Sequence, residues 1–134
     1  MKRFLLATIS LLAFAFISTE SLAMPGGGGG EIPISTGGTV SGCTGTFVDA
    51  GGSGGVYTAG ENYTITLCPD NGGLLQVDFT AFDVEANYDF LTIYDGDNTG
   101  APSLGVYDNN VGSPGLVSAT GSNTSGCLTF VFTS

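Results

Sequence analysis

From residue 43 onward the chain consists of short apolar segments separated by clusters of Gly, Asn, Asp and Pro. Turn clusters at a spacing of about 8 to 12 residues are typical of β-sandwiches and barrels, and no segment keeps a helical period. The predicted strands cover residues 46–49, 62–68, 74–82, 89–94, 104–107, 115–119 and 126–133. About 92 residues suffice for one such domain and no more, so the sequence predicts a single all-β sandwich over residues 43–134.

Strict alternation of apolar and polar side chains marks the half-buried strands and predicts the core. In the third predicted strand, for example, Leu75, Val77 and Phe79 share one face. The five tyrosines are expected to pack as half-buried residues rather than to form a carbohydrate-stacking surface. The predicted core positions are Leu75, Val77, Phe79, Leu91, Ile93, Leu128, Phe130 and Phe132.

The first 23 residues have the pattern of a secretory signal peptide: a basic start at Lys2 and Arg3, an apolar run over residues 4–17, and small residues ending at Ala23. The apolar run is shorter than the about 18 to 20 residues needed to cross a bilayer. We therefore expect cleavage after Ala23 and a secreted or cell-surface product without membrane insertion. Residues 24–42 are dominated by Gly and are predicted to be a flexible lead.

Lys2 and Arg3 are the only basic residues, and the chain has no His. Of its twelve carboxylates only Glu20 leaves with the signal, so the mature chain has eleven carboxylates and no cation. Such a chain cannot neutralise phosphates, which excludes nucleic acid and anionic membranes as direct partners. Its carboxylates must be solvated, hydrogen-bonded or paired with an external cation. Salt adaptation and cation binding remain equal alternatives at this stage.

An acidic loop lies between two predicted strands in the stretch FDVEANYDFLTIYDG, and Glu85 and Asp89 stand four residues apart in it. Calcium prefers several oxygen ligands, and two carboxylates across a tight loop can supply two of them. The segments FDVE, NYD and LTIYDG, followed by AP and LG, resemble the central part of a CUB domain, in the short form found in secreted proteins of Bacteroidetes-like bacteria. The resemblance implies a jelly-roll β-sandwich.

The resemblance also implies a calcium site formed by Glu85, Asp89 and a third carboxylate that would follow Ser134 directly. The alternative is that Asp89 accepts backbone N–H bonds in an ordinary loop. A further implication is a disulfide between Cys43 and Cys68, which leaves Cys127 without a partner. Because the family continues with one more strand, we expect this chain to be a C-terminally truncated fragment of a longer exported bacterial protein.

Catalysis is not expected, because the mature chain has no His or Lys to activate a nucleophile and Cys127 lies in an apolar strand, where a thiol ionises poorly. The predicted function is that of a secreted binding or adhesion module, assisted by calcium, for an extracellular protein or carbohydrate. The alternative is a structural spacer that positions a downstream catalytic domain such as a peptidase.

Overall fold

The computed structural model of the full chain describes residues 6–11, 30–42 and 44–134. These residues form ten strands and one short 3-10 helix, Ile34–Thr36. The strands are β1 Leu6–Leu11, β2 Glu31–Pro33, β3 Gly38–Ser41, β4 Gly45–Val48, β5 Asn62–Cys68, β6 Leu75–Ala81, β7 Phe90–Tyr94, β8 Ser103–Tyr107, β9 Leu116–Ser118 and β10 Leu128–Thr133. The predicted all-β sandwich is confirmed.

Two five-stranded sheets pack against each other. Sheet A has the order β2-β4-β1-β6-β9, and sheet B has the order β3-β5-β10-β7-β8. Neighbouring strands are antiparallel except for the pairs β2/β4 and β3/β5, which are parallel. The seven predicted strands correspond to β4 through β10, with ends that differ by no more than two residues.

The core lies between the two sheets and is filled by the apolar faces of the alternating strands. The side chain of Phe47 on β4 packs against Phe130 on β10, with ring centroids 4.9 Å apart, and against Phe79 on β6 at 6.4 Å. All eight predicted core positions are buried. Their burial follows from the period of two, which places every second side chain of a strand on the same face.

The prediction that residues 24–42 form a flexible lead is wrong for residues 31–41. Residues 31–41 form β2, the 3-10 helix and β3, and they cross from the edge of sheet A to the edge of sheet B. The side chain of Ile34 is fully buried in the core. Ile32 and Val40 of the same segment also pack against the core. These apolar contacts and the two parallel pairings order a segment whose glycine content had predicted a lack of structure. Residues 24–29 lie outside the described residues.

Strand β1 comes from the predicted signal peptide and occupies the middle of sheet A. It pairs antiparallel with β4 on one side and with β6 on the other, and the Ile9 side chain is buried in the core. The structure is that of the full chain, so cleavage after Ala23 stays a prediction.

The disulfide differs from the predicted Cys43–Cys68 bond: Cys68 is bonded to Cys127. Strands β5 and β10 are neighbours with Leu67 opposite Leu128, and this register brings the two cysteines that flank the ladder together, with Cα atoms 4.2 Å apart. The prediction that Cys127 is unpaired is therefore wrong. Cys43 lies outside the described residues.

The strand directions give the sandwich two distinct ends. We call the end formed by segments 49–61, 82–89 and 108–115 the loop end, and Ser134 also lies there. We call the opposite end, formed by segments 69–74, 95–102 and 119–127, the disulfide end. None of the residues described here belongs to a helix with the length and apolarity required to span a bilayer.

Candidate functional site

The loop end concentrates the acidic residues of the domain. Its three segments come from separate parts of the sequence but meet because strands β4, β6 and β8 all end there. Glu31 of β2 also reaches this region, where the Ser53 backbone N–H and hydroxyl donate to its carboxylate. The carboxylates of the three segments are Asp49, Glu61, Asp83, Glu85, Asp89 and Asp108.

Glu85 and Asp89, the predicted calcium ligands, lie at the two ends of one tight turn. The backbone N–H of Asp89 donates to the carbonyl oxygen of Glu85 at 2.9 Å. Asn87 closes the turn with a φ of 68°, a left-handed conformation that asparagine tolerates better than most residues. The two residues therefore lie in one turn, and their role as calcium ligands stays a prediction.

The two carboxylates have different environments within this turn. Asp89 is only 4% exposed, and its Oδ2 accepts hydrogen bonds from the Tyr57 hydroxyl and, at 3.1 Å, from the backbone N–H of Glu85. Burial of Tyr57 and its hydrogen bond to Asp89 both raise the pKa of the tyrosine hydroxyl above its ordinary value, so it stays a donor. The side chain of Glu85 is exposed.

This donor set fits a calcium ion in part. Carboxylate and hydroxyl oxygens are hard ligands of the kind calcium prefers, but it takes six to eight of them. The described segments bring no three His, Cys, Asp or Glu side chains into an arrangement that could hold a metal. Glu85 and Asp89 thus supply two carboxylates in one turn. The backbone N–H bond that Asp89 accepts from Glu85 is also what an ordinary loop without calcium would contain.

Segments 82–89 and 108–115 are joined by a hydrogen-bond network that the sequence analysis missed. Asp108 is buried and accepts backbone N–H bonds from Asn87 at 2.9 Å and from Val111 at 2.9 Å. These bonds, with others from Asn110, hold the pKa of Asp108 below its usual value. Asn109 bridges the same segments by donating to Asp83 at 2.8 Å. The run Asp108-Asn109-Asn110 is a turn signal that could have indicated this junction.

Asp49 and Glu61 form a second acidic pair that the sequence analysis also missed. Asp49 is fully buried at the end of β4, and only its Oδ1 has a hydrogen bond, from the backbone N–H of Gly51 at 2.6 Å. Its Oδ2 and the Oε2 of Glu61 are buried without a hydrogen-bond partner. Burial, supplemented by the negative charge of Glu61, raises the pKa of Asp49 to about 6.

Each of the three segments also presents one large apolar side chain to solvent: Val56, Tyr88 and Val111. Tyr88 is 72% exposed, which corrects the expectation that all five tyrosines pack as half-buried residues. The loop end therefore combines exposed apolar groups with carboxylates.

No protein-family model matches this sequence, and comparison with curated proteins found no match. The resemblance to CUB domains therefore stays an expectation from the sequence segments, whereas the all-β sandwich is shown by the structure.

Proposed function

We propose that this chain is a secreted binding or adhesion module of the CUB type, assisted by calcium, which recognises an extracellular partner through its loop end. The observation that carries the proposal is the convergence of six carboxylates and three exposed apolar side chains at one end of the sandwich. The described residues contain no Lys, Arg or His that could neutralise these carboxylates.

The chemistry of this surface favours a partner with a basic side chain. A Lys or Arg of the partner would find carboxylate acceptors such as Glu85 and Asp83, both exposed, and an apolar contact at Tyr88. Opposite charges on the two surfaces increase the rate of association and exclude acidic partners. Specificity would then come from the fixed geometry of the loops, which the Asp108 network holds together.

Calcium has a defined role in this proposal. Glu85 and Asp89 would hold the ion, which offsets the repulsion among the carboxylates and fixes segment 82–89 for recognition. Asp89 is already oriented by the Tyr57 hydroxyl and the Glu85 backbone N–H. Glu85 is the better residue to mutate, because its exposed side chain can be changed without opening the core.

The test is a thermal unfolding series on the exported protein, with and without calcium at about 10 mM, a tenfold excess over the weakest dissociation constants of extracellular sites. Binding at that excess stabilises the folded state by about 1.4 kcal/mol, so the melting temperature should rise. Glu85→Gln should abolish the rise, and Asp97→Asn in the β7–β8 turn should retain it. The calcium proposal is wrong if the wild type and both variants melt identically with and without calcium at matched ionic strength.

A further inference from the structure

Strand β1 holds sheet A together. It pairs with β4 over four positions and with β6 over six. No other strand of the sheet connects β4 to β6. Without β1, sheet A consists of two separate ribbons, β2 with β4 and β6 with β9. Two-stranded ribbons are at best marginally stable by themselves, so the position of β1 needs an occupant.

Removal of the predicted signal peptide would empty this position, which we call the strand slot: the space between β4 and β6 now filled by β1. The slot spans two inter-strand spacings, about 10 Å. Both of its sides would carry unpaired backbone N–H and C=O groups, and its floor is the apolar core that Ile9 contacts. Exposed backbone on two facing strands is a template for an added strand.

We propose that the strand slot of the exported chain binds an extended segment of a partner protein, apolar on one face and basic on the other, in place of β1. The segment would run in the direction of β1, antiparallel to β4 and β6. This site lies in sheet A rather than at the loop end, so peptide binding and calcium binding are measured separately. The proposal depends on cleavage after Ala23.

The inner face of the slot requires an apolar side chain. Ile9 is 6% exposed and lies opposite Val77 on β6 and Gly45 on β4. Gly45 has no side chain, and the side chain of Ile32 on β2 occupies the space beside it, whereas Val77 on the β6 side is fully buried. A β-branched or other aliphatic residue of the partner at this position would restore that packing.

The outer face of the slot favours a positive charge. Thr8 is exposed and lies directly opposite Asp78 on β6, which is also exposed. On the other side Thr8 is opposite Thr46, whose own neighbour on β2 is Glu31. Directly opposed residues on one face have Cβ atoms about 5 Å apart, so a Lys at the position of Thr8 would pair with Asp78.

The same charges argue against a second copy of this chain as the occupant. Residues 24–134 carry eleven carboxylates and no Lys, Arg or His, so a strand from another copy would bring no cation to face Asp78. It would also bring the remaining negative charge of the copy close to an acidic surface. A basic partner segment has neither disadvantage.

The experiment begins with the chain as a host cell exports it, purified after intact-mass analysis. The probe is a synthetic peptide with the sequence of residues 4–12 and Thr8→Lys, extended by a neutral soluble tail. We expect binding at one peptide per chain and a higher melting temperature. If the mature chain is recovered only in denaturant, refolding with the peptide should give a soluble one-to-one complex. The same peptide with Ile9→Asp should fail in both assays, because it places a charge in the core.

A charge comparison tests the outer face. A peptide with Thr8→Glu should bind the wild-type chain at least about threefold more weakly than the Thr8→Lys peptide at low salt, and the difference should shrink as salt is added. Asp78→Asn in the chain should reduce this preference, whereas Asp97→Asn in the other sheet should leave it unchanged. The proposal is overturned if the exported chain retains residues 1–23, if the Thr8→Lys peptide does not bind, if the Ile9→Asp peptide binds equally well, or if the mature chain forms dimers that exclude the peptide.

Discussion

Asp95 and Asp49 are buried carboxylates at opposite ends of the sandwich, and their environments are opposite. At the disulfide end, Asp95 accepts hydrogen bonds from the Thr120 backbone N–H at 3.0 Å, the Thr120 hydroxyl at 2.5 Å and the Asn123 amide at 2.8 Å. At the loop end, Asp49 is more deeply buried, but one of its oxygens has no hydrogen-bond partner. Burial by itself raises the pKa of a carboxyl group. In Asp95 the hydrogen bonds outweigh burial, and the net effect is a lowered pKa. In Asp49 burial prevails, and the pKa is raised to about 6.

The two ends also differ in how completely their buried polar groups are hydrogen-bonded. The disulfide end satisfies its polar groups internally: even the buried Thr129 hydroxyl donates to the carbonyl of Gly96 at 2.9 Å and contacts the Thr66 hydroxyl at 2.8 Å. The loop end keeps two buried carboxylate oxygens without a hydrogen-bond partner, Oδ2 of Asp49 and Oε2 of Glu61. Unsatisfied buried acceptors reduce stability, so the pair Asp49 and Glu61 is expected to weaken the loop end.

The largest expected effect in this comparison is loss of the Cys68–Cys127 bond. The bond closes a loop with a sequence separation of 59 residues, for which the chain-entropy relation gives a stabilisation of about 4 kcal/mol. Cys127→Ala should lower the free energy of unfolding by about that amount in urea titrations. Cys43→Ala is the matched control and should change stability little. Equal losses in both variants, or a Cys43–Cys68 peptide found by non-reducing mapping, would contradict the pairing described here.

Replacement of Asp95 should have the next largest effect. Asp95→Ala removes the acceptor for Thr120 and Asn123 and leaves their donors in a partly buried site, at a cost of about 2 to 3 kcal/mol. Because the folded-state pKa is lowered, the stabilisation from Asp95 is present above its unfolded-state pKa of about 3.9 and is lost as the pH falls through the folded value. Urea titrations should show the deficit of the variant at pH 7 and a smaller one below about pH 4. A variant as stable as the wild type at pH 7 would show that the network is incidental.

Replacement of Asp49 should have the smallest effect, with the opposite sign. Asp49→Asn removes a buried charge while keeping an acceptor for Gly51, so it should stabilise the chain by about 1 to 2 kcal/mol at pH 7. Between about pH 4 and 6 the folded wild type keeps a proton that the unfolded chain releases, so wild-type stability falls as the pH rises through that window. The extra stability of Asp49→Asn over the wild type should therefore be absent near pH 4 and increase as the pH rises toward 6.

The control for Asp49 is the exposed Asp97, since Asp97→Asn removes an equal charge from the β7–β8 turn. Its stability difference from the wild type should change little between pH 4 and pH 7. If Asp49→Asn instead lowers stability at pH 7, the carboxylate of Asp49 contributes an interaction that offsets its burial, and the contrast between the two ends disappears.

The sequence predicted the parts of this structure that local patterns encode. Alternation over two-residue periods identified β4 through β10 and the core, because that pattern records which face of a strand is buried. The turn containing Glu85 and Asp89 was also found, since its ends are four residues apart. Strands β2 and β3 were missed because Gly-rich segments have no such alternation and their pairing depends on distant strands.

The remaining misses depend on contacts between residues far apart in the chain. The Cys68–Cys127 bond follows from the register of β10 against β5, which no local pattern reveals. Asp49 and Glu61 stand at opposite ends of one connecting segment, and their burial arises only when the sheets pack together. The two candidate carboxylates of one loop, Glu85 and Asp89, were visible in the sequence, whereas the convergence of three segments was not.

The position of residues 31–41 also has a mechanical consequence. Gly30, just before β2, accepts a hydrogen bond from the Thr46 backbone N–H toward the disulfide end, while Ser134 lies at the loop end. Tension applied between these two points would run along the strand axes rather than across them. The hydrogen bonds that join β2 to β4 would then be loaded together in shear rather than opened one after another, a geometry that resists force well. Unfolding from this side would therefore require the β2/β4 hydrogen bonds to break together.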